Sequence, residues 1–113
     1  MNKSWKYWLG VVALMAAFGP LEAQAATPVF LIDVRTPQEF AEGHLAGAIN
    51  IEHQEIVAKI GSVTTDKNAR IELYCRSGRR SGIAQGLLKN AGYQNAVNLG
   101  SFEELRKTRP VSP

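Results

Sequence analysis

The chain holds one cysteine, Cys75, at the head of the stretch Cys75-Arg76-Ser77-Gly78-Arg79-Arg80-Ser81. A thiol is a nucleophile only as thiolate, and at a reference pKa of about 8.5 only roughly 3% is ionised at pH 7. Lowering that pKa by about two units makes most of it reactive, which needs about 2.7 kcal/mol of preferential stabilisation of the anion. A helix N-terminus contributes about 0.3–1 kcal/mol, up to about 2 in favourable geometry, so a helix opening near Ser81 rarely suffices alone. Arg76, Arg79 and Arg80 are expected to supply the remainder. Gly78 frees the backbone, so the N–H groups from Arg76 to Ser81 can curl inward into a concave anion cradle. Such a loop can hold a sulfur anion and receive a small anionic substrate beside it.

Most free cysteines are small buried hydrophobes. Here a strand, the cysteine, a glycine-containing cationic loop and a helix follow in order, which favours the reactive reading. The cysteine phosphatases use a similar cradle with the pattern Cys-x5-Arg. In this chain the sixth residue after Cys75 is Ser81 and the arginine stands one place early at Arg80, which gives a smaller cradle suited to one sulfur. Asp33 and Arg35 read as a structural ion pair near a sheet end, His44 as a hydrogen-bonded structural histidine, and His53 as facing solvent. Neither histidine has the support a papain-like Cys-His arrangement needs. Two histidines and one cysteine without local spacing point to no metal site.

The elements that must position the loop alternate between strand and helix lengths. Val29-Phe30-Leu31-Ile32 is a short apolar run suited to a buried parallel strand. Thr36-Pro37-Gln38-Glu39 matches a capping box with Pro37 at the first helical position, and Gly43 is placed to stop that helix. Ala48 to Ile51 reads as a strand, and Gln54 to Ile60 as a helix with Ile56, Val57 and Ile60 on one face. Ile71 to Tyr74 is a strand ending at Cys75. Ser81 to Ala91 carries Ile83, Ala84, Leu87 and Leu88 at helical spacing before Gly92. Ala96 to Leu99 is a last strand, and Ser101 caps a short helix through about Lys107. The alternation predicts an α/β domain whose mainly parallel sheet is covered on both faces, with Cys75 at a strand's carboxyl end where such sheets bind ligands.

Residues 1–25 read as a cleaved signal peptide: Lys3 and Lys6, an uncharged 13-residue stretch from Tyr7 to Gly19, Pro20, and an A-x-A site at Ala23-Gln24-Ala25. Thirteen residues are too few to span a bilayer, which takes roughly 17–25 in a helix, so no stable membrane association is expected after cleavage. The 88 residues from 26 to 113 suffice for one domain. Setting aside Lys3, Lys6 and Glu22 leaves 11 basic against 9 acidic residues, an excess too small to imply nucleic acid. The positive charge gathers around Cys75 instead, and the basic tail Arg106-Lys107-Thr108-Arg109 reads as a solvated end. An exported chain with a single cysteine excludes an internal disulfide framework and a Cys-x-x-Cys redox motif.

Three segments together resemble the rhodanese sulfurtransferases: Leu31-Ile32-Asp33-Val34-Arg35 with Pro37 and Glu39-Phe40; Gly43-His44-Leu45-Ala46-Gly47-Ala48-Ile49-Asn50-Ile51; and the loop from Cys75 to Ser81. Within that family the chain looks most like periplasmic phage-shock-type thiosulfate sulfurtransferases. It departs from the family pattern at Glu52, where proline is usual, and at Ser101, where a second glycine often follows Gly100. The resemblance implies a three-layer rhodanese fold over residues 26–113, in which Cys75 accepts sulfane sulfur from thiosulfate as a persulfide. It implies that the loop of Arg76, Ser77, Gly78, Arg79 and Arg80 binds substrate and stabilises the persulfide. The acceptor would be cyanide or a thiol, with no cofactor required and a periplasmic location. A non-enzymatic rhodanese-like module that carries sulfur or binds partners is the alternative, and a cysteine phosphatase the more distant one.

Overall fold

The computed structural model describes residues 28–113, so the signal-peptide reading lies outside the described residues. Four parallel strands form the central sheet in the order β3-β1-β4-β5, where β1 is Val29–Asp33, β3 Ile49–Asn50, β4 Arg70–Cys75 and β5 Ala96–Ser101. β1 and β4 run together from Val29 opposite Arg70 to Asp33 opposite Tyr74. Alternate residues of β4 point to opposite faces. Ile71, Leu73 and Cys75 join Ile32, Ile56, Ile60, Ala84 and Leu88 in one core. Tyr74 joins Leu45 and Phe102, with Leu31, Leu99 and Leu105 packed against them, in the other.

The first core is covered by α2 (Ile56–Lys59) and α3 (Arg79–Asn90). The second is covered by α4 (Phe102–Leu105) and by a small antiparallel ribbon of β2 (His44–Leu45) with β6 (Val111–Ser112). The protein is thus an α/β sandwich with a parallel sheet between two covering layers. The remaining helix, α1 (Pro37–Ala41), has the expected capping box: Thr36 Oγ1 accepts from the Glu39 N–H at 3.1 Å, and Glu39 accepts from the Thr36 N–H at 3.1 Å.

Several elements differ from the sequence reading. The stretch expected to be one helix over 54–60 is a 3-10 turn (His53–Glu55), the single α-turn of α2 and a second 3-10 turn (Ile60–Ser62). Only Ile56 and Ile60 of its apolar trio are buried, and Val57 points outward. Helix α3 starts at Arg79 rather than Ser81, and it meets the sheet through Ser81, Ala84 and Leu88, which leaves Ile83 and Leu87 exposed. β5 runs on to Ser101, and α4 stops at Leu105 rather than near Lys107. The β2–β6 ribbon was not anticipated, because two-residue strands carry no periodicity. The basic tail is not simply solvated either: Arg109 reaches Glu72 at 3.5 Å, and Arg106 lies over the Phe102 ring.

The Asp33–Arg35 pair is structural, as expected. Arg35 grips the Asp33 carboxylate through Nε and Nη2 at 2.7–3.1 Å and donates from Nη2 to the Gly43 carbonyl at 2.7 Å. Tyr74 Oη donates to Asp33 at 2.8 Å and accepts from the Leu45 N–H at 3.0 Å. Burial pushes the Tyr74 phenol up, so it stays a donor. This network joins the ends of β1 and β4 to β2, and the Arg35 guanidinium stacks 4.3 Å from the Phe102 ring centre. Removing one partner of a buried ion pair typically costs about 3–5 kcal/mol, because the other charge is left unpaired. Arg35→Ala is therefore expected to lose about that much in urea unfolding, and a loss under about 1 kcal/mol would refute the network's structural role.

Candidate active site around Cys75

Strand β4 delivers Cys75 to the sheet's carboxyl edge, where the residue is fully buried. The chain then turns through Arg76, Ser77 and Gly78 into α3. Gly78 caps the helix at φ 94°, a left-handed conformation that calls for glycine, and its α-carbon packs towards Gly100 of β5. This turn points N–H groups at the sulfur. The Gly78 N–H donates to Sγ at 3.0 Å, and the Ser81 hydroxyl lies 3.4 Å from it.

Burial pushes the Cys75 thiol up. The N–H groups of Ser81, Ser77 and Gly78, together with the Ser81 hydroxyl, whose one proton is shared among Sγ, the Gly78 carbonyl and Asn98 Oδ1, outweigh that penalty and hold the thiol below its ordinary value. The loop N–H groups and one hydroxyl thus join the arginines expected to supply the remainder, among which Arg80 shares a charge interaction with Cys75. Desolvation strengthens those contacts as well as penalising the charge, which is why a few N–H groups can prevail.

The arginines divide. Arg80 forms a two-pronged pair with Glu39 of α1, at 2.8 and 3.1 Å, which fastens the N-terminus of α3 to α1. Arg76 and Arg79 are exposed and make no side-chain ion pair or hydrogen bond among the described residues. Ser77 is exposed as well. A cleft beside the loop is lined by Arg35, Arg76, Phe102 and Arg106 together with Glu39, Glu42 and Glu103. The cleft reaches the loop through Arg76, the residue after Cys75.

Two site residues escaped the sequence reading. Ser81 was counted only as the residue occupying the phosphatase arginine's place, yet its hydroxyl faces the sulfur. Asn98, from β5, bonds Ser81 Oγ at 2.7 Å and the Gly78 carbonyl at 3.0 Å; no local motif marks it. His44 is structural as expected, stacked on Phe40 at 3.6 Å with Nδ1 against the Phe40 carbonyl at 2.8 Å. His53 is half-buried rather than solvent-facing.

Residues 20–108 match the family profile described as Rhodanese-like domain. The chain belongs to the rhodanese-like family. It is 35% identical over 100 residues to Thiosulfate sulfurtransferase PspE of Escherichia coli, which covers 85% of this chain and 89% of that one. Thiosulfate sulfurtransferase GlpE of Pseudomonas entomophila is 30% identical over 89 residues, or 78% of this chain and 80% of that one. Among solved structures, a rhodanese with anions from Escherichia coli superposes with a TM-score of 0.71 at 34% identity, covering 75% of this chain and 98% of that one. These likenesses place the protein among the rhodanese-type sulfurtransferases.

The Glu39–Arg80 contact gives a pH signature. The Arg80 guanidinium holds the Glu39 carboxyl down at about 2, against an ordinary value of 4.5. A carboxyl depressed by folding contributes its stability above the unfolded value and loses it as pH falls through the folded one. The parent should therefore lose this stabilisation progressively from about pH 4.5 down to about pH 2. Urea midpoints of the parent and Glu39→Gln should differ at neutral pH and converge near pH 2; a constant gap across that range would contradict the assignment.

Proposed function

We propose that the protein is a thiosulfate sulfurtransferase that carries sulfane sulfur on Cys75 as a persulfide and passes it to cyanide or a thiol. The observation that carries the reading is a buried lone thiol held below its ordinary value by converging loop donors. The Cys75 thiolate attacks the outer sulfur of thiosulfate. An Sγ–S bond forms, the thiosulfate S–S bond breaks, and sulfite leaves with the electron pair. Cyanide or a thiolate then attacks the terminal sulfur, the Sγ–S bond breaks, and the Cys75 thiolate returns, leaving thiocyanate or a new persulfide as product. No external oxidant or reductant enters either step.

In this reading the N–H groups of Ser77, Gly78 and Ser81 first hold the thiolate and then the charge of the persulfide. Arg76 and Arg79 receive the sulfonate end of thiosulfate, and Arg80, engaged by Glu39, acts on the anion through the position it gives α3. The cleft beside Arg76 is the approach for the acceptor. The phosphatase alternative lacks its arginine, since the sixth position after Cys75 holds the buried Ser81. The sulfur-carrier alternative needs Cys75 but no recognition of thiosulfate by arginine. Export to the periplasm, with a mature chain from Ala26, belongs to the same proposal; among the described residues no helix is long and apolar enough to cross a membrane.

Incubation with thiosulfate should add the mass of one sulfur atom to the intact protein, and Cys75→Ser should not gain it. Arg76→Ala and Arg79→Ala should each lose about 1.5–3 kcal/mol of interaction with thiosulfate, which is roughly 10- to 150-fold in kcat/KM. A protein that gains no sulfur from thiosulfate, or that hydrolyses aryl phosphates faster than it transfers sulfur, would overturn the proposal.

A further inference from the structure

The cradle is held in shape by a side chain outside the loop. Between β4 and β5 the register shifts: Leu73 lies opposite Asn98, but the next residue, Tyr74, lies opposite Gly100, so Leu99 is an extra residue on β5. A bulge of this kind re-aims side chains, and bulges are common beside active sites. Here the Asn98 amide bonds the loop on one side and its own strand on the other. Its Nδ2 donates to the Gly78 carbonyl at 3.0 Å, and its Oδ1 accepts from the Gly100 N–H at 2.9 Å and lies 2.7 Å from the Ser81 hydroxyl, whose one proton it shares with Sγ and the Gly78 carbonyl. Gly78 and Gly100 both hold left-handed φ values, 94° and 98°, and face each other closely.

We propose that Asn98 is the positioning residue of the cradle: its amide holds the Gly78 carbonyl, and through that residue the N–H that donates to Sγ, and it holds the Ser81 hydroxyl beside the sulfur, all against the bulge of β5. An amide suits this place because it donates to a carbonyl and accepts from an N–H and a hydroxyl at once. An aspartate would set a carboxylate against the Gly78 carbonyl and bring a negative charge towards the sulfur. A small apolar side chain would leave the Gly78 carbonyl to the Gly82 N–H and the Ser81 hydroxyl, at 3.1 Å each, and would leave the Gly100 N–H without its acceptor. In either case the Gly78 N–H is less well fixed against Sγ, and the thiolate loses stabilisation. The other charged groups around the sulfur remain the same in every variant: Arg76 and Arg79 in the loop, Arg80 with Glu39, and the Asp33–Arg35 pair at the end of β1.

The inference rests on the sulfur-transfer reading for its purpose, but its test needs no substrate, so the two can fail separately. The Cys75 thiolate is titrated by its ultraviolet absorbance, with Cys75→Ser as blank, in the parent, Asn98→Ala and Asn98→Asp. The loss of one hydrogen bond's worth of anion stabilisation corresponds to an upward shift of about half a unit to one unit for Asn98→Ala, and Asn98→Asp should shift further. The pH profile of kcat/KM for thiosulfate should move by the same interval in Asn98→Ala. Unfolding midpoints identify which variant is folded; Asn98→Asp keeps the bonds to Gly100 and Ser81, so it serves if Asn98→Ala does not fold. A folded variant whose Cys75 titrates at or below the parent value would overturn the proposal, and an absence of sulfur transfer with the shifts intact would overturn only the reaction assigned above.

Discussion

A sulfur anion buried at the end of a strand must be solvated by groups that cannot turn away, and the architecture around Cys75 follows from that requirement. Water would stabilise the thiolate in the open, but Cys75 has no exposed surface. Backbone N–H groups take its place. They can do so only if the chain turns sharply after β4, which demands a left-handed residue at Gly78, and only if α3 begins at once, so that its first N–H groups remain uncommitted within the helix. The parallel sheet supplies the rest, because it brings β1, β4 and β5 to the same edge and so surrounds the turn with elements that can hold it.

Charge therefore works at two distances. Near the sulfur, the decisive groups are dipoles and a hydroxyl; farther out, guanidinium groups hold structure or await anions. Arg35 and Arg80 are fastened to Asp33 and Glu39, and the second pair joins α1 to α3. Arg76 and Arg79 stand exposed on the same turn.

The sequence disclosed what depends on neighbours in the chain. The capping box at Thr36, the strand before Cys75, the helix after it and the glycine at the turn are all set within a few residues, and three such segments were enough for the family resemblance. What it concealed depends on contacts across the fold. Asn98 stands 17 residues beyond Ser81, its partner, and is brought there by a bulge that no local pattern announces. The helix faces were misjudged for a related reason: Val57, Ile83 and Leu87 fit the periodicity, but short helices on a four-stranded sheet bury only a narrow stripe. The charge of the loop arginines is visible in the sequence, whereas the side-chain bonds that hold the loop from β5 are not.

The central claim, that fixed hydrogen-bond donors rather than the exposed Arg76 and Arg79 hold the Cys75 thiol below its ordinary value, is tested most directly by titrating the thiolate in the parent, in Ser81→Ala and in the double variant Arg76→Ala/Arg79→Ala. The account predicts that Ser81→Ala raises the midpoint while the double arginine variant leaves it close to the parent value. A midpoint that rises in the arginine variant and stays in place in Ser81→Ala would contradict it.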